Sequence, residues 1–172
     1  MAIEKGALKD ERPSFDKVEA AIEAIRRGDL VLVADDEGPE DKGYLVGAAS
    51  CATAENVNFM MRYARGLICL PVASEVARRL QLTPVAAPQQ GGTRAEPFLV
   101  PVDAREGVLT GVSAADRALT ARLAASPEAH AEDFVRPGHL FPLEARDGGV
   151  LVRASHAEAA VDLARLAGLP PA

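Results

Sequence analysis

Five carboxylates fall within seven consecutive positions of this sequence, from Asp35 to Asp41, and they are the residue types best suited to hold a cation. The stretch includes Glu40 and follows directly on the apolar run at 30–34. Such a run is typical of a strand buried on both faces, and ligands commonly lie where such strands end. Carboxylate oxygens suit Mg²⁺ or Ca²⁺, although the spaced pattern of a calcium loop is missing. A solvated acidic turn explains the same composition, so both interpretations stay open.

Two short segments combine arginine with histidine and are candidates for holding an anion. The first, Arg-Pro-Gly-His, runs from Arg136 to His139, and its glycine lets the backbone approach a ligand closely. The second, Arg-Ala-Ser-His, runs from Arg153 to His156, just before a predicted helix whose first N–H groups favour a phosphate. His156 is also able to ligate a metal. For each segment the alternative is an ordinary turn or helix cap.

A third turn into a helix begins at Thr110, with the sequence Thr-Gly-Val-Ser-Ala-Ala-Asp-Arg. Ser113 and Asp116 have the spacing of an N-terminal cap. Each of these signals is weak alone. Together they predict an acid-lined, metal-assisted site with separate phosphate-binding helix ends.

Helices and strands alternate along the chain and must position these groups. Helices are predicted from Ser14 to Gly28, from Thr53, from Ser74 to Leu80, from Ser113 to about Ala125 and from about Ala157 to Leu166. Strands are predicted at 30–34, 67–70, 98–102, 143–145 and 150–152, the last two joined by a turn at 147–149. This order predicts an α/β or α+β protein with a mixed sheet. We expect a loose arm at 1–13, a single domain at 14–172 and a long loop at 83–96.

The composition argues against several classes of protein. Nineteen Lys and Arg against 25 Asp and Glu give a net charge of −6, which does not suit nucleic-acid binding. No run approaches about 20 apolar residues, so we expect no membrane span. The polar N-terminus has no apolar core of a signal peptide, and we expect a cytoplasmic protein. Two cysteines do not make a zinc site of the usual ligand count.

The motifs together resemble one enzyme family over nearly the whole chain after residue 13. Thr-Gly-Val-Ser-Ala-Ala-Asp-Arg at 110–117 and Arg-Pro-Gly-His-Leu-Phe-Pro-Leu at 136–143 are its most specific blocks. They are similar to those of 3,4-dihydroxy-2-butanone 4-phosphate synthase, an enzyme of riboflavin biosynthesis. The resemblance implies an α+β fold and a homodimer with sites near the subunit interface. It also implies a Mg²⁺-dependent reaction that enolises ribulose 5-phosphate, rearranges its skeleton and expels formate.

The resemblance assigns the roles of Glu40, His156, Arg153 and His139, and the acidic stretch and the two turns before helices supply the other candidates. The metal, Mg²⁺ or Mn²⁺, is expected on Glu40 and His156. The catalytic carboxylates are expected to be Glu40, Asp35 and Asp41. The groups expected to bind the substrate or its phosphate are Arg153, His139, Thr110 and Ser155.

Several positions depart from the family pattern. In the acidic stretch an arginine is replaced by Pro39, a glutamate by Lys42 and an aspartate by Tyr44. Further differences lie at Arg62-Tyr63-Ala64, at Leu109 and in Ser155-His156-Ala157-Glu158. The chain also ends at Ala172, before the segment that carries a catalytic glutamate in the family.

Three functions are therefore expected as alternatives. In the first, the protein is a repurposed enzyme that uses a divalent metal to act on another small molecule. In the second, it still makes 3,4-dihydroxy-2-butanone 4-phosphate from ribulose 5-phosphate. In the third, it is a non-catalytic binding or partner subunit.

Overall fold

A computed structural model describes residues 15–35, 42–85 and 98–172 of the chain. Its helices are α1 (Val18–Arg26), α2 (Ala54–Phe59), α3 (Ser74–Arg79), α4 (Ala114–Ala125) and α5 (His156–Leu166). Its strands are β1 (Val31–Asp35), β2 (Lys42–Val46), β3 (Cys69–Ala73), β4 (Val102–Ala104) and β5 (Phe134–Ala145). Short 3-10 turns cover Ala49–Cys51, Ala131–Asp133 and Gly149–Leu151, and a π turn, Met60–Ala64, extends α2.

The described strands form two sheets. β1 and β2 make an antiparallel hairpin, in which Val31 faces Val46 and Asp35 faces Lys42. The other sheet has the order β3-β5-β4, with β3 parallel and β4 antiparallel to β5. This mixed sheet with flanking helices confirms the predicted α+β class.

The central strand β5 carries an irregularity that matters for the site. Val102 pairs with Leu140 but the next residue, Asp103, pairs with Val135, so 136–139 bulge out of the ladder. Gly138 lies in this bulge, and a Cβ there would overlap the Val102 backbone. Only glycine allows this close approach, which turns the Arg-Pro-Gly-His segment toward β4.

Two apolar clusters hold these layers together. The larger lies between the mixed sheet and α3 and α4, where alanines on α4 let helix and sheet approach closely. The smaller packs α1 and the hairpin against α5 through Ile25, Val46 and Leu163. Tyr44 is partly buried against this second cluster. The hairpin is thereby fixed beside the N-terminal part of the chain and α5.

The prediction that β1 is buried on both faces is wrong. Leu32 is 66% exposed, because β2 is the only neighbour of β1 among the described strands and no described element covers that face. The acidic stretch therefore joins the strands of an antiparallel hairpin and does not follow a strand of a parallel sheet. Its residues 36–41 lie outside the described residues.

Other boundaries also differ from prediction. The first described helix begins at Val18, and the predicted cap Ser14 lies outside the described residues. The strand predicted at 67–70 starts at Cys69, and the one predicted at 98–102 is reduced to isolated bridges before β4. Residues 150–152 do not form a strand, because the 3-10 turn Gly149–Leu151 occupies the first two of them, and α5 begins at His156. At these positions tertiary packing outweighs the β-propensity of the local sequence.

Much of two predicted loops falls outside the described ranges. The arm at 1–13 and most of the 83–96 loop lie outside the described residues. In the described part of that loop, Pro84 pairs with Leu99. Among the described helices, the longest has 12 residues, and none is long and apolar enough to cross a membrane.

Candidate active site

A buried glutamate organises the loop that leads into α5. The Glu158 side chain is fully buried and accepts hydrogen bonds from the Arg146 N–H at 2.8 Å and from the Ser155 hydroxyl. The Arg153 Nε lies 2.8 Å from Oε1, the same carboxylate oxygen that accepts from the Arg146 N–H. Burial alone raises the pKa of Glu158, but Arg153 and these donors together hold it below its ordinary value. The carboxylate is thus ionised and ties the loop to the end of β5.

This arrangement limits what Arg153 and Ser155 offer to a ligand. The Ser155 hydroxyl is committed to Glu158, so it does not face outward as a phosphate donor. Arg153 Nε is paired with Glu158 by charge, and both Nε and Nη2 are buried without a well-aligned hydrogen bond among the described residues. A buried N–H of this kind is costly unless something accepts from it. Arg153 therefore remains the better candidate for binding an anion.

His156 begins α5 and stacks on an aromatic ring from the hairpin. The ring centroids of His156 and Tyr44 lie 3.9 Å apart, and the planes differ by 8°. Tyr44 therefore covers one face of the imidazole and restricts its rotation, leaving the ring edge to make polar contacts. The hairpin and α5 meet through this pair.

The predicted metal site is only partly covered by the described residues. Glu40 and Asp41 lie outside them, and Asp35 is described only as the last backbone position of β1. Within 15–35, 42–85 and 98–172, no group of three or more His, Cys, Asp or Glu side chains is arranged to hold a metal. The pairing of Glu40 with His156 therefore stays a prediction.

A second polar centre lies in the bulge of β5. Asp103 accepts a hydrogen bond from the His139 N–H at 2.9 Å through Oδ1, and its Oδ2 lies 2.7 Å from His139 Nδ1. The aspartate is buried, whereas the histidine side chain is 47% exposed. A buried carboxylate thus holds a histidine at the surface by two contacts.

A turn held by another carboxylate covers this pair. Asp116 accepts hydrogen bonds from the N–H groups of Thr110 at 3.1 Å and Gly111 at 3.0 Å. Burial raises the pKa of Asp116, but the backbone bonds from Thr110, Leu109 and Gly111, with Ser113, bring it below its ordinary value. Gly111 has a φ of 75°, and a Cβ there would collide with the Asp103 carboxylate and the His139 ring.

Arg136 does not join His139 in an anion site. Its Nη2 donates to the Leu80 carbonyl at 2.6 Å, and Nη1 donates to Ala131 at 3.4 Å. The sequence-based pairing of Arg136 with His139 is therefore wrong. Within the bulge, the Arg136 side chain bonds Leu80 and the His139 side chain contacts Asp103. Arg136 anchors β5 to the end of α3.

The site residues form two groups within one chain. We call Asp103, Thr110, Gly111, Asp116 and His139 the His139 cluster, and Tyr44, Arg153, Ser155, His156 and Glu158 the Arg153 cluster. β5 separates them, since His139 lies in the bulge and the Arg146 N–H at the other end binds Glu158. Seven extended residues span roughly 20 Å.

Two of the carboxylates that shape the site were not predicted. Glu158 has a visible signal, because Ser155 and Glu158 have the spacing of a capping box. Asp103 has a weaker sequence signal, because it is a single acidic residue within an apolar strand. Sequence alone does not connect Asp103 to His139. Asp116 was predicted only within the helix cap and not as the support of the Thr110 turn.

Curated relatives match most of this chain. Riboflavin biosynthesis protein RibBA of Aquifex aeolicus is 54% identical over 160 residues, which are 92% of this chain and 39% of that protein. The 3,4-dihydroxy-2-butanone 4-phosphate synthase of Pseudomonas syringae is 51% identical over 159 residues, 92% of this chain and 43% of that protein. The chain thus spans about two-fifths of the length of these relatives.

Solved structures share the fold. A 3,4-dihydroxy-2-butanone 4-phosphate synthase in complex with two magnesium ions superposes with a TM-score of 0.86 at 42% identity, covering 91% of this chain and 73% of the other. The fold is therefore that of these α+β enzymes. A family model described as 3,4-dihydroxy-2-butanone 4-phosphate synthase matches residues 19–172, and the chain belongs to that family.

Proposed function

We propose that this chain catalyses the 3,4-dihydroxy-2-butanone 4-phosphate synthase reaction, converting ribulose 5-phosphate to the butanone phosphate and formate for riboflavin biosynthesis. The observation that carries the proposal is the match of residues 19–172 to this family, with about half of the residues identical to those of curated relatives. The two polar clusters supply anion-binding and proton-accepting groups of the kinds that a sugar phosphate needs.

The expectation of a repurposed reaction has no support in these comparisons. It depended on the replacements at Pro39, Lys42 and Tyr44, yet relatives named for the original function are 48–54% identical to this chain. Nothing in the described residues favours a non-catalytic subunit either. The alternative prediction, retained synthase activity, fits the comparisons better.

In this proposal the Arg153 cluster binds the substrate phosphate. The Arg153 side chain is 21% exposed, Glu158 holds its guanidinium in place, and α5 starts immediately after Ser155. The first N–H groups of an 11-residue helix add a favourable field for an anion. Thr110 and His139 then contact other oxygens of the substrate.

We retain Mg²⁺ or Mn²⁺ on Glu40 and His156 as part of the proposal. A carboxylate with an imidazole leaves coordination positions for water and substrate oxygens, as such cations commonly have. The solved relative that contains two magnesium ions supports a divalent metal. When bound, the metal would polarise the carbonyl and enediolate oxygens of the substrate. A cytoplasmic location stays a prediction from composition.

The extended backbone between His139 and Arg146, roughly 20 Å long, supports a homodimer. A five-carbon sugar phosphate is about 10 Å long from ordinary bond lengths, so it does not reach both clusters of one chain. A two-fold dimer would place the His139 cluster of one protomer against the Arg153 cluster of its partner. Leu109 beside the first cluster and Leu151 beside the second are each 95% exposed, as an uncovered interface would be.

The reaction is tested directly by incubating the purified chain with ribulose 5-phosphate and Mg²⁺ and measuring formate with a coupled dehydrogenase. Arg153→Ala should lower the rate by about 10²-fold or more. Glu128→Gln, an exposed acid outside both clusters, is the matched control and should keep the rate. No formate from the unaltered chain at high concentration refutes the proposal.

The dimer is tested by sedimentation equilibrium. Leu109→Asp and Leu151→Asp should shift the mass toward the monomer, whereas Leu166→Asp should not. Leu166 is exposed but lies at the far end of α5 from His156, about 15 Å away. A monomeric unaltered chain would contradict the dimer.

A further inference from the structure

Asp103 is the buried carboxylate for which the proposed reaction has no assigned use. It is 5% exposed and lies on the edge strand β4 beside the bulge, and among the described residues both hydrogen bonds of its side chain are to His139. A carboxylate that only satisfied the backbone would need one oxygen for the His139 N–H. The second oxygen, 2.7 Å from Nδ1, acts on the ring itself.

We propose that Asp103 is a positioning residue that holds His139 as the Nδ1–H tautomer and turns Nε2 toward the substrate. An ionised carboxylate only accepts hydrogen bonds, so the proton between Oδ2 and Nδ1 belongs to the imidazole. In the neutral ring Nε2 then carries the lone pair and accepts a hydrogen bond or a proton. This inference assigns Nε2 as an acceptor and rests on the proposed synthase function only for the identity of the substrate.

The surroundings fix the ring in one orientation. The Nδ1 edge faces the buried carboxylate, so the exposed side of the ring carries Nε2. Gly111 packs directly over the pair, and Asp116 holds Gly111 in place through the N–H bond at 3.0 Å. His139 therefore gives up little rotational freedom when a substrate arrives, as a preorganised group should.

The test is Asp103→Asn. The amide oxygen still accepts from the His139 N–H, but the amide nitrogen donates toward Nδ1 and so favours the Nε2–H tautomer. Long-range ¹⁵N–¹H spectra report which ring nitrogen carries hydrogen, and assignment is simple because the chain has three histidines. We expect Nδ1–H in the unaltered protein and Nε2–H in the variant, with kcat for formate release lowered about 10²-fold or more and KM changed less than about 3-fold.

Asp133→Asn is the matched control. Its carboxylate accepts the His130 N–H at 2.7 Å, so the same change removes a charge from a backbone acceptor outside the site. We expect this variant to keep both the His139 tautomer and kcat.

The inference is overturned if His139 in the unaltered protein carries its hydrogen on Nε2. It is also overturned if His139 in the Asp103→Asn protein keeps its hydrogen on Nδ1, whether or not kcat falls. The spectra need no substrate. If the unaltered chain releases no formate but its tautomer changes as expected, the proposed function fails while the positioning role stands.

Discussion

Mixing two inactive variants should restore activity if each site combines clusters from two protomers. The first variant, His139→Ala, damages the His139 cluster, and the second, His156→Ala, damages the Arg153 cluster. Each variant alone has a defect in both sites of its homodimer. We expect each to lose about 10²-fold or more of the formate-releasing rate.

The size of the recovery follows from the geometry. About 20 Å of β5 separates the clusters, so each site would take one cluster from each protomer. Random exchange of subunits makes about half of the dimers mixed, and each mixed dimer has one intact site and one doubly damaged site. The mixture should therefore recover about a quarter of the activity of the unaltered protein.

The assay is formate release after the two proteins have exchanged subunits, with exchange followed by native mass spectrometry of differently tagged chains. The matched control mixes His139→Ala with Asp103→Asn. Both changes lie in the His139 cluster, so every site in the mixed dimer stays damaged and no recovery should occur. Fully exchanged His139→Ala and His156→Ala proteins that stay inactive would refute the two-protomer site.

Three further results are expected. Glu158→Gln should lower the free energy of unfolding by about 2–4 kcal/mol, because it leaves Arg153 partly buried without its charge partner. Urea titration measures the change, and a loss below about 0.5 kcal/mol would contradict the prediction. Glu158 and Asp116 both have a lowered pKa in the folded state, so their stabilisation is present above the unfolded values near pH 4 and is lost as the pH falls through the folded values. Urea titrations from pH 7 to pH 3 should show that loss below about pH 4.5, with a shallower slope in Glu158→Gln. Tyr44→Ala should weaken Mn²⁺ binding about 3- to 10-fold in electron paramagnetic resonance titrations, because His156 loses its stacking partner. Tyr44→Phe keeps the ring and should bind Mn²⁺ normally. Equal losses in the two variants would assign the effect to the hydroxyl.

The helices with clear caps were predictable from local sequence. Thr53 accepts the Asn56 N–H at the predicted start of α2, and Ser113 accepts the Asp116 N–H, as the spacing of Ser113 and Asp116 predicted. Such caps act within one turn of backbone, so three or four residues contain all the information they need. The family resemblance, which depends on long identical blocks, was likewise confirmed.

Strand pairing was much less predictable. The apolar run at 30–34 is typical of a central strand, yet within the described part of the chain β1 has a single neighbouring strand and exposes Leu32. The residues that pair with β1 lie beyond the acidic stretch. A local hydrophobic pattern does not indicate how many neighbouring strands a strand will pair with. The bulge at 136–139 was not predicted, since only the register of β5 with Val102 and Asp103 reveals it.

The sequence by itself determined the residue types of the site and the family to which the chain belongs, because composition, caps and motif spacing are local properties. Tertiary structure decided which of those residues act together. It joined Asp103 to His139 across 36 positions, turned Arg136 away to Leu80, and placed the second half of β5 between His139 and the Arg153 cluster. These outcomes depend on strand register and on which side chains share a buried volume, and both are set by long-range packing that no segment specifies alone.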